Sequence, residues 1–296
     1  MHLPEPFQSL ALNLIGERVR SITGSKSSLD DFTKPLGDAG LYGPHSMVWR
    51  VHAHFTAMMV GGLSSLIVQS LHPRALAAVW DHSNFRGKLK ERLGRTAYFV
   101  AATTYGSEAL AMGVIQKVNT IHARISGVDL NGQPYVANEP GLLKWVHLVE
   151  AWSFLAAYQH LSKQALTPAQ CDQYMAEMSR VGHLLGAQDL PLTQTDTEAQ
   201  LGAYQSSLAF DERAQEIVRV IEAYPTDWFD QPFMNLVMQT AMDIMPGWAL
   251  ALMGRPASCG WQVQARRLAM QVAAEPVQWM LDQQGVAAIA KQRAMG

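Results

Sequence analysis

The chain has 296 residues, of which 48% are hydrophobic and only 16% are charged. Soluble domains usually carry about 25% charged residues, so this composition predicts a large buried interior or a buried apolar ligand. The formal net charge is −2, and no run of Lys and Arg is long enough to follow a phosphate backbone. Nucleic-acid binding is therefore not expected.

Two cysteines, Cys171 and Cys259, lie far apart and form neither a C-x-x-C nor a C-x-x-C-H motif. A zinc knuckle and a covalently attached haem are therefore not expected, and a reducing compartment suits free thiols. Residues 1–10 lack the basic and apolar blocks of a secretory signal. We expect a cytoplasmic protein.

The periodic stretches are rich in Ala, Leu, Met, Gln and Arg, and convincing strand-like alternation is missing, so the sequence predicts an all-α fold. In chain order the predicted helices cover residues 7–21, 46–70, 73–80, 88–105, 107–126, 140–161, 168–185, 198–202 with 210–223, 232–253, 261–273 and 275–294. Five prolines fall where a first helical turn tolerates them: Pro73, Pro140, Pro168, Pro232 and Pro276. Turn residues between Ile125 and Val136 indicate a small hairpin. Without a repeat or a linker, residues 1–296 are predicted to form one domain.

The uncharged stretch 55–71 approaches the length of a membrane span, but several small and polar residues dilute it, Gly61 and Gly62 among them. A buried core helix is the favoured interpretation, and no stable membrane insertion is expected. Its small side chains would let another helix or a flat ligand approach the backbone closely. Met234, Met238, Met242 and Met245 are more typical of a core than of an interface, and an oligomer stays open.

His122 is the first candidate for chemistry. It is predicted to share the inward face of a helix with apolar residues at helical spacing: Val114, Ile115, Val118, Ile121 and Ile125. An imidazole in an apolar wall must satisfy both ring nitrogens, and a haem iron on one with a carbonyl or carboxylate on the other would do so. By spacing alone, a hydrogen-bonded core histidine is the commoner case.

A second candidate is the set Arg92, Arg95 and Thr96, at positions i, i+3 and i+4 of a predicted helix. The same stripe continues into Phe99 and Thr103, so the two cations are expected to follow an apolar surface. Such cations need an anionic partner or a bound dioxygen species, and haem propionates would supply the anions. Ordinary salt bridges are the alternative, to Asp81, Glu91 or Glu108.

Two other histidines stand at notable positions. His72 precedes Pro73, where it is either a polar group of a pocket or a cap on the C-terminus of the preceding helix. His147 and Glu150 at i and i+3 can pair, bind a metal or share a proton. A non-haem iron site is weakly supported, because the chain has no Glu-x-x-His motif.

Taken in order, these residues resemble a known family. The motifs are Gln69-Ser70-Leu71-His72-Pro73, Asp81-His82-Ser83 with Phe85, Arg92-Leu93-Gly94-Arg95-Thr96, Tyr105-Gly106, Ile121-His122-Ala123-Arg124, Tyr135-x-Ala137-Asn138-x-Pro140 and Trp145-Val146-His147. The set is similar to the MpaB-type oxygenases, relatives of the latex-clearing rubber oxygenases, over residues 43–190. The C-terminal helices, residues 210–294, are placed only by their helical pattern.

The resemblance implies a single helical bundle with a globin-like core that encloses haem b. It implies that His122 is the proximal iron ligand, and that His147 supports the haem or its ligand. It also places Arg92, Arg95 and Thr96 on the distal side, while His72 matches a family motif. The activity it implies is dioxygen-dependent oxidation of an apolar small molecule, with cleavage of an isoprenoid-type carbon–carbon double bond.

Arg95 departs from the rubber oxygenases, which carry a lysine at this position. A guanidinium stays protonated and cannot bind iron, so Arg95 is expected to orient bound oxygen or a propionate. The predicted catalytic residues are Arg95, Thr96 and His72. Two other readings of the sequence stay open: a haem-binding or gas-sensing protein without turnover, and a helical protein without a metal.

Overall fold

The computed structural model describes residues 29–223 and 230–296. Its helices are α1 (Met47–His52), α2 (Phe55–Gln69), α3 (Pro73–His82), α4 (Phe85–Tyr105), α5 (Glu108–His122), α6 (Pro140–Leu161), α7 (Pro168–Leu184), α8 (Gln194–Ala203), α9 (Glu212–Glu222), α10 (Gln231–Asp243), α11 (Gly247–Leu252), α12 (Gly260–Gln284) and α13 (Val286–Met295). Short 3-10 helices cover Leu29–Phe32 and Gln205–Ser207. The predicted all-α class is confirmed, while the predicted helix 7–21 lies outside the described residues.

The sequence also predicted several local features correctly. The hairpin forms as β1 (Ser126–Val128) and β2 (Pro134–Val136), paired antiparallel. Prolines lie in the first turn of four helices as expected, namely Pro73, Pro140, Pro168 and Pro232. These residues act through the backbone of their own segment, so a local sequence pattern is enough to place them.

Three predicted boundaries are wrong. Residues 46–70 form two helices, because the His54 side chain caps α2 and ends the continuous backbone there. Residues 232–253 also divide, at Pro246. The predicted break near Pro276 is absent, since α12 continues through this proline to Gln284. Met270, Ala274 and Met280 are buried on one side of α12, and this packing holds the helix together across the proline.

The core is centred on α2, which packs along α6. A β-carbon at Gly61 would lie 2.8 Å from the carbonyl oxygen of Ser153 and 3.0 Å from the Cα of Phe154, so the two backbones are almost in contact. The small-residue face of α2 therefore receives another helix. Helices α9, α10 and α12 also pack against α2. The four methionines near the C-terminus contribute to this core, as predicted.

Within the described ranges, no single helix is both long and apolar enough to cross a membrane, although α2 and α3, bent by 103°, meet the length and composition criteria as a pair.

Substitution of Gly61 tests the contact between α2 and α6. Gly61→Ala should lower the free energy of unfolding by about 1–3 kcal/mol, because the new methyl group meets backbone atoms that cannot move aside. Gly62→Ala is the matched control: its nearest neighbour would be a ring carbon of Phe154 at 3.8 Å, an ordinary contact. Urea unfolding of both variants measures the difference, and equal stabilities would contradict the close approach.

Candidate functional site

The hairpin of α4 and α5 carries four of the predicted site residues, Arg92, Arg95, Thr96 and His122. Only Gly106 and Ser107 separate the two helices, and Phe99 of α4 packs on the same buried cluster as Ile115 of α5. Arg95 lies one turn beyond Phe99, and His122 lies two turns beyond Ile115. Arg95 is therefore at the middle of α4, and His122 is at the end of α5 that lies farthest from the turn.

His122 ends α5 and is half-buried. Its Nδ1 is buried and has no hydrogen-bond partner among the described residues. Burial also lowers the pKa of His122, so the ring is neutral near pH 7. A neutral imidazole with an unused nitrogen is the form that binds a metal.

The apolar face predicted for α5 is only partly correct. Ala111 and Ile115 are buried, but Ile121 is 48% exposed. The inward face therefore turns away from the core before the helix ends. Helix α5 is held at this end by Asn119, whose side-chain amide donates to the carbonyl oxygen of Leu184 at 3.0 Å. His122 consequently lies at the margin of the core rather than inside it.

The three residues predicted on α4 differ in exposure. Arg92 is half-buried, whereas Arg95 and Thr96 are exposed, so the stripe faces inward only in part. Burial lowers the pKa of Arg92, and the neighbouring charge of Arg95 lowers it further. Thr96 donates to the carbonyl oxygen of Arg92 at 3.3 Å. The positive charges of Arg92 and Arg95 thus repel each other, and a bound anion would relieve this repulsion.

The carboxylates considered as alternative salt-bridge partners of Arg92 and Arg95 do not pair with them. Asp81 pairs with Arg213 at 3.7 Å, and Glu91 pairs with Lys88 at 3.7 Å. Glu108, the third acid considered, forms no ion pair with any described residue. The protein's own acids therefore leave Arg92 and Arg95 without a counterion in the described part of the chain.

His147 is buried on α6, and its ring lies directly against Gly182 of α7. A β-carbon at Gly182 would come 2.8 Å from the ring, so glycine is needed for this contact. Burial lowers the pKa of His147 to about 4, and the charge of His183 contributes. Because Asn119 binds the last turn of the same helix, α7 holds the His122 end of α5 and His147 together.

Glu150 lies one turn after His147 and is not its ion-pair partner. An ion pair would lower the pKa of the carboxyl group and raise that of the imidazole. The observed directions are opposite: burial raises the pKa of Glu150 to about 7, while that of His147 falls. His147 is therefore neutral near pH 7, while Glu150 is protonated in about half of the molecules at that pH.

His72 caps the N-terminus of α3, and not the C-terminus of the preceding helix. Its Nδ1 accepts from the backbone N–H of Ala75 at 3.5 Å. The ring is buried against Trp145 and Tyr204, with centroid distances of 5.8 and 6.1 Å. Burial lowers the pKa of His72, and the charge of Arg74 adds to this, which keeps Nδ1 free to accept.

An apolar cleft lies beside Arg92, with walls from α2, α3, α4 and α9 and with Val146 of α6. Its enclosed part holds only about 60 Å³, and the hollow around it, which is open to solvent, brings the empty space to about 570 Å³. Eleven of the fourteen described residues that line it are apolar, and the others are Gln69, Ser70 and Arg92. Arg92 thus lines the same cleft as Val146, which precedes His147, and Gln69, which lies three residues before His72.

The contribution of α9 to this cleft was not foreseen, because the family motifs in the sequence end near residue 190. Ile217, Val220 and Ile221 of α9 line the cleft. Their spacing already indicated an amphipathic helix, yet periodicity does not show which surface such a helix covers. No group of three or more His, Cys, Asp or Glu side chains in the described residues is arranged to hold a metal ion.

Glu150→Gln should change the dependence of stability on pH. The pKa of Glu150 is raised on folding, so its contribution is complete below about pH 4.5 and is lost as the pH rises through about 7. The wild type should therefore lose on the order of 3 kcal/mol relative to Glu150→Gln across this window. Urea unfolding at several pH values measures the difference, and parallel curves would contradict the raised pKa.

His72→Asn and His72→Ala separate the capping role of His72 from its packing. Asparagine retains a side-chain acceptor for the N–H of Ala75, so His72→Asn should be more stable than His72→Ala by about 1 kcal/mol. Both variants lose the contacts with Trp145 and Tyr204, which makes them matched. Thermal unfolding gives the comparison, and identical midpoints would show that the cap contributes nothing.

One family of known proteins matches most of the chain. A family model described as "ER-bound oxygenase mpaB/B'/Rubber oxygenase, catalytic domain" matches residues 49–279. No curated protein and no solved structure matches the chain. The matched range covers more than three quarters of the sequence and includes the C-terminal helices α9, α10 and α11. The chain therefore belongs to the mpaB/rubber oxygenase catalytic-domain family.

Proposed function

We propose that this protein is a haem b-dependent oxygenase that uses dioxygen to oxidise an apolar small molecule, with an isoprenoid-type double bond as the reacting group. Membership of an oxygenase family supports the reaction class. The proposal of haem rests on His122 of α5 and on Arg95 and Thr96 of α4. The proposal of an apolar substrate rests on the lining of the apolar cleft.

The buried Nδ1 of His122, which has no partner among the described residues, is the observation on which the haem proposal depends. A buried imidazole nitrogen without a partner costs about 1–3 kcal/mol, and such atoms in folded proteins usually serve a ligand or a water. Haem iron takes four nitrogens from the porphyrin and needs as little as one from the protein. His122 fits this requirement by itself, because burial keeps its ring neutral and its nitrogen is available.

The charges of α4 fit the same group. Haem b carries two propionates, and Arg95 is an exposed cation whose charge no described carboxylate neutralises. Arg95 would hold a propionate or orient the oxygen that reacts, and Thr96 would add a hydroxyl donor beside it. Bound haem would supply the dioxygen chemistry that side chains lack.

His147 and the apolar cleft would also contribute to the proposed function. His147 stays neutral and is fixed against Gly182, so it can support the haem or the ligand histidine without adding charge. The apolar side chains of the cleft would bind the substrate and exclude water from it. His72 does not line the cleft, and its predicted catalytic role rests on the sequence motif alone.

Substitution of His122 tests the proposal. His122→Ala should abolish stoichiometric haem and its Soret absorbance, because the only assigned bond from the chain to the iron is lost. His45→Ala is the control, since His45 is exposed and precedes α1. Haem content and iron are measured on protein purified from haem-supplemented cells.

A second variant separates loss of the ligand from loss of the fold. His122→Gly with added imidazole should regain the Soret band, as the free imidazole occupies the space of the side chain. Unchanged haem content and an unchanged spectrum in His122→Ala would show that another residue holds the iron.

A further inference from the structure

Arg92 is the one charged residue among the described residues that line the apolar cleft. The other two polar lining residues already have partners inside the protein. Gln69 donates to the Ser65 hydroxyl at 2.8 Å and to the Val146 carbonyl oxygen at 3.2 Å, and the Ser70 hydroxyl donates to the Ile67 carbonyl oxygen at 2.7 Å. Arg92 is therefore the polar group of the cleft that is left to recognise a ligand.

The guanidinium of Arg92 is held in place by one of its nitrogens. Its Nη1 donates to the Ser83 hydroxyl at 2.6 Å, and Ser83 in turn donates to the carbonyl oxygen of Val79 at 2.7 Å. No described residue accepts from Nε or Nη2. A guanidinium that is positioned by one edge and free at the other presents two parallel N–H groups, the arrangement that binds a carboxylate.

No acid of the described chain neutralises this cation. Asp81 is bound by Arg213 and by the Tyr135 hydroxyl, which donates to it at 2.8 Å. Glu216, on the α9 wall, is shared by Arg86 and Arg219 at 3.6 and 3.1 Å. A partly buried cation without a counterion is costly, so an anion from outside the chain would bind favourably.

Arg95, the other cation of this stripe, does not line the cleft. It lies one turn nearer the Gly106–Ser107 turn of the hairpin and is exposed. The two guanidinium groups thus serve different surfaces. A haem propionate and the carboxylate of a ligand share the same chemistry, and this placement assigns the propionate to Arg95 and the ligand to Arg92.

We propose that the apolar cleft binds an apolar chain that ends in a carboxylate, with the carboxylate on Arg92 and the hydrocarbon along the aliphatic wall of α2, α3 and α9. This inference rests on the proposed function, for which it names the substrate class. It distinguishes an acidic substrate from an uncharged hydrocarbon, which would leave Arg92 without a partner in the cleft.

Dodecanoate and 1-dodecanol are a matched pair of probes, since they differ only in the head group. Calorimetric titration at pH 8 should show that the full-length protein binds dodecanoate about 10- to 100-fold more tightly than the alcohol. Arg92→Gln should lose this preference, and Arg92→Lys should retain part of it, because lysine keeps the charge without the planar pair of donors.

Arg86→Gln is the control variant: Arg86 lies on the same helix, but Glu216 already pairs with it, so the preference for dodecanoate should persist. Each titration is run on protein with and without haem, and the Soret band is recorded for each variant. A preference that persists without haem supports the inference even if the haem proposal fails. Equal affinities for acid and alcohol in the wild type would overturn it. So would an Arg92→Gln variant that loses haem but keeps the preference, since the carboxylate on Arg92 would then be a propionate.

Discussion

The close packing of α2 against α6 is the constraint on which the remaining structure depends. Gly61 lets the two backbones approach, and hydrogen bonds then join the end of α2 to Trp145 and Val146 of α6. The Trp145 indole donates to the carbonyl oxygen of Gln69 at 3.2 Å, and Gln69 donates to that of Val146. These contacts place one wall of the apolar cleft beside the residue that precedes His147.

Helix α7 provides the second support. Its last turns contact α5 through Asn119 and α6 through the ring of His147. The end of α5 that carries His122 and the ring of His147 on α6 are thereby both held by the C-terminal turns of α7. The positions of the polar side chains in the bundle thus follow from a few backbone contacts that tolerate little change.

The electrostatic character of this region is set by burial. The histidines that matter to the proposal are kept neutral, and the raised pKa of Glu150 leaves this carboxyl group partly protonated near pH 7. The guanidinium groups of α4 cannot respond in the same way, because arginine does not lose its proton in proteins. The region therefore combines neutral ligand-type nitrogens with fixed positive charge, which suits a metal macrocycle with acidic side groups and an acidic substrate.

Much of the fold was predictable because its determinants are local. Prolines at first helical turns and the hairpin residues between Ile125 and Val136 act within a few residues of themselves. The errors arise where distant packing prevails over local preference. Pro276 lies inside α12 because buried residues on both sides hold the helix, and Ile121 is exposed because α5 leaves the core before its end.

By itself the sequence determined the helical class, the family and the identity of the candidate residues, since these depend on ordered motifs and on periodicity. Only the tertiary structure decided how those residues are used. It separated Arg92 in the cleft from Arg95 at the surface, assigned His72 to the start of α3, and brought α9 over the cleft. The reason is physical: spacing along a helix states which side chains share a face, but the neighbouring helices decide what that face meets.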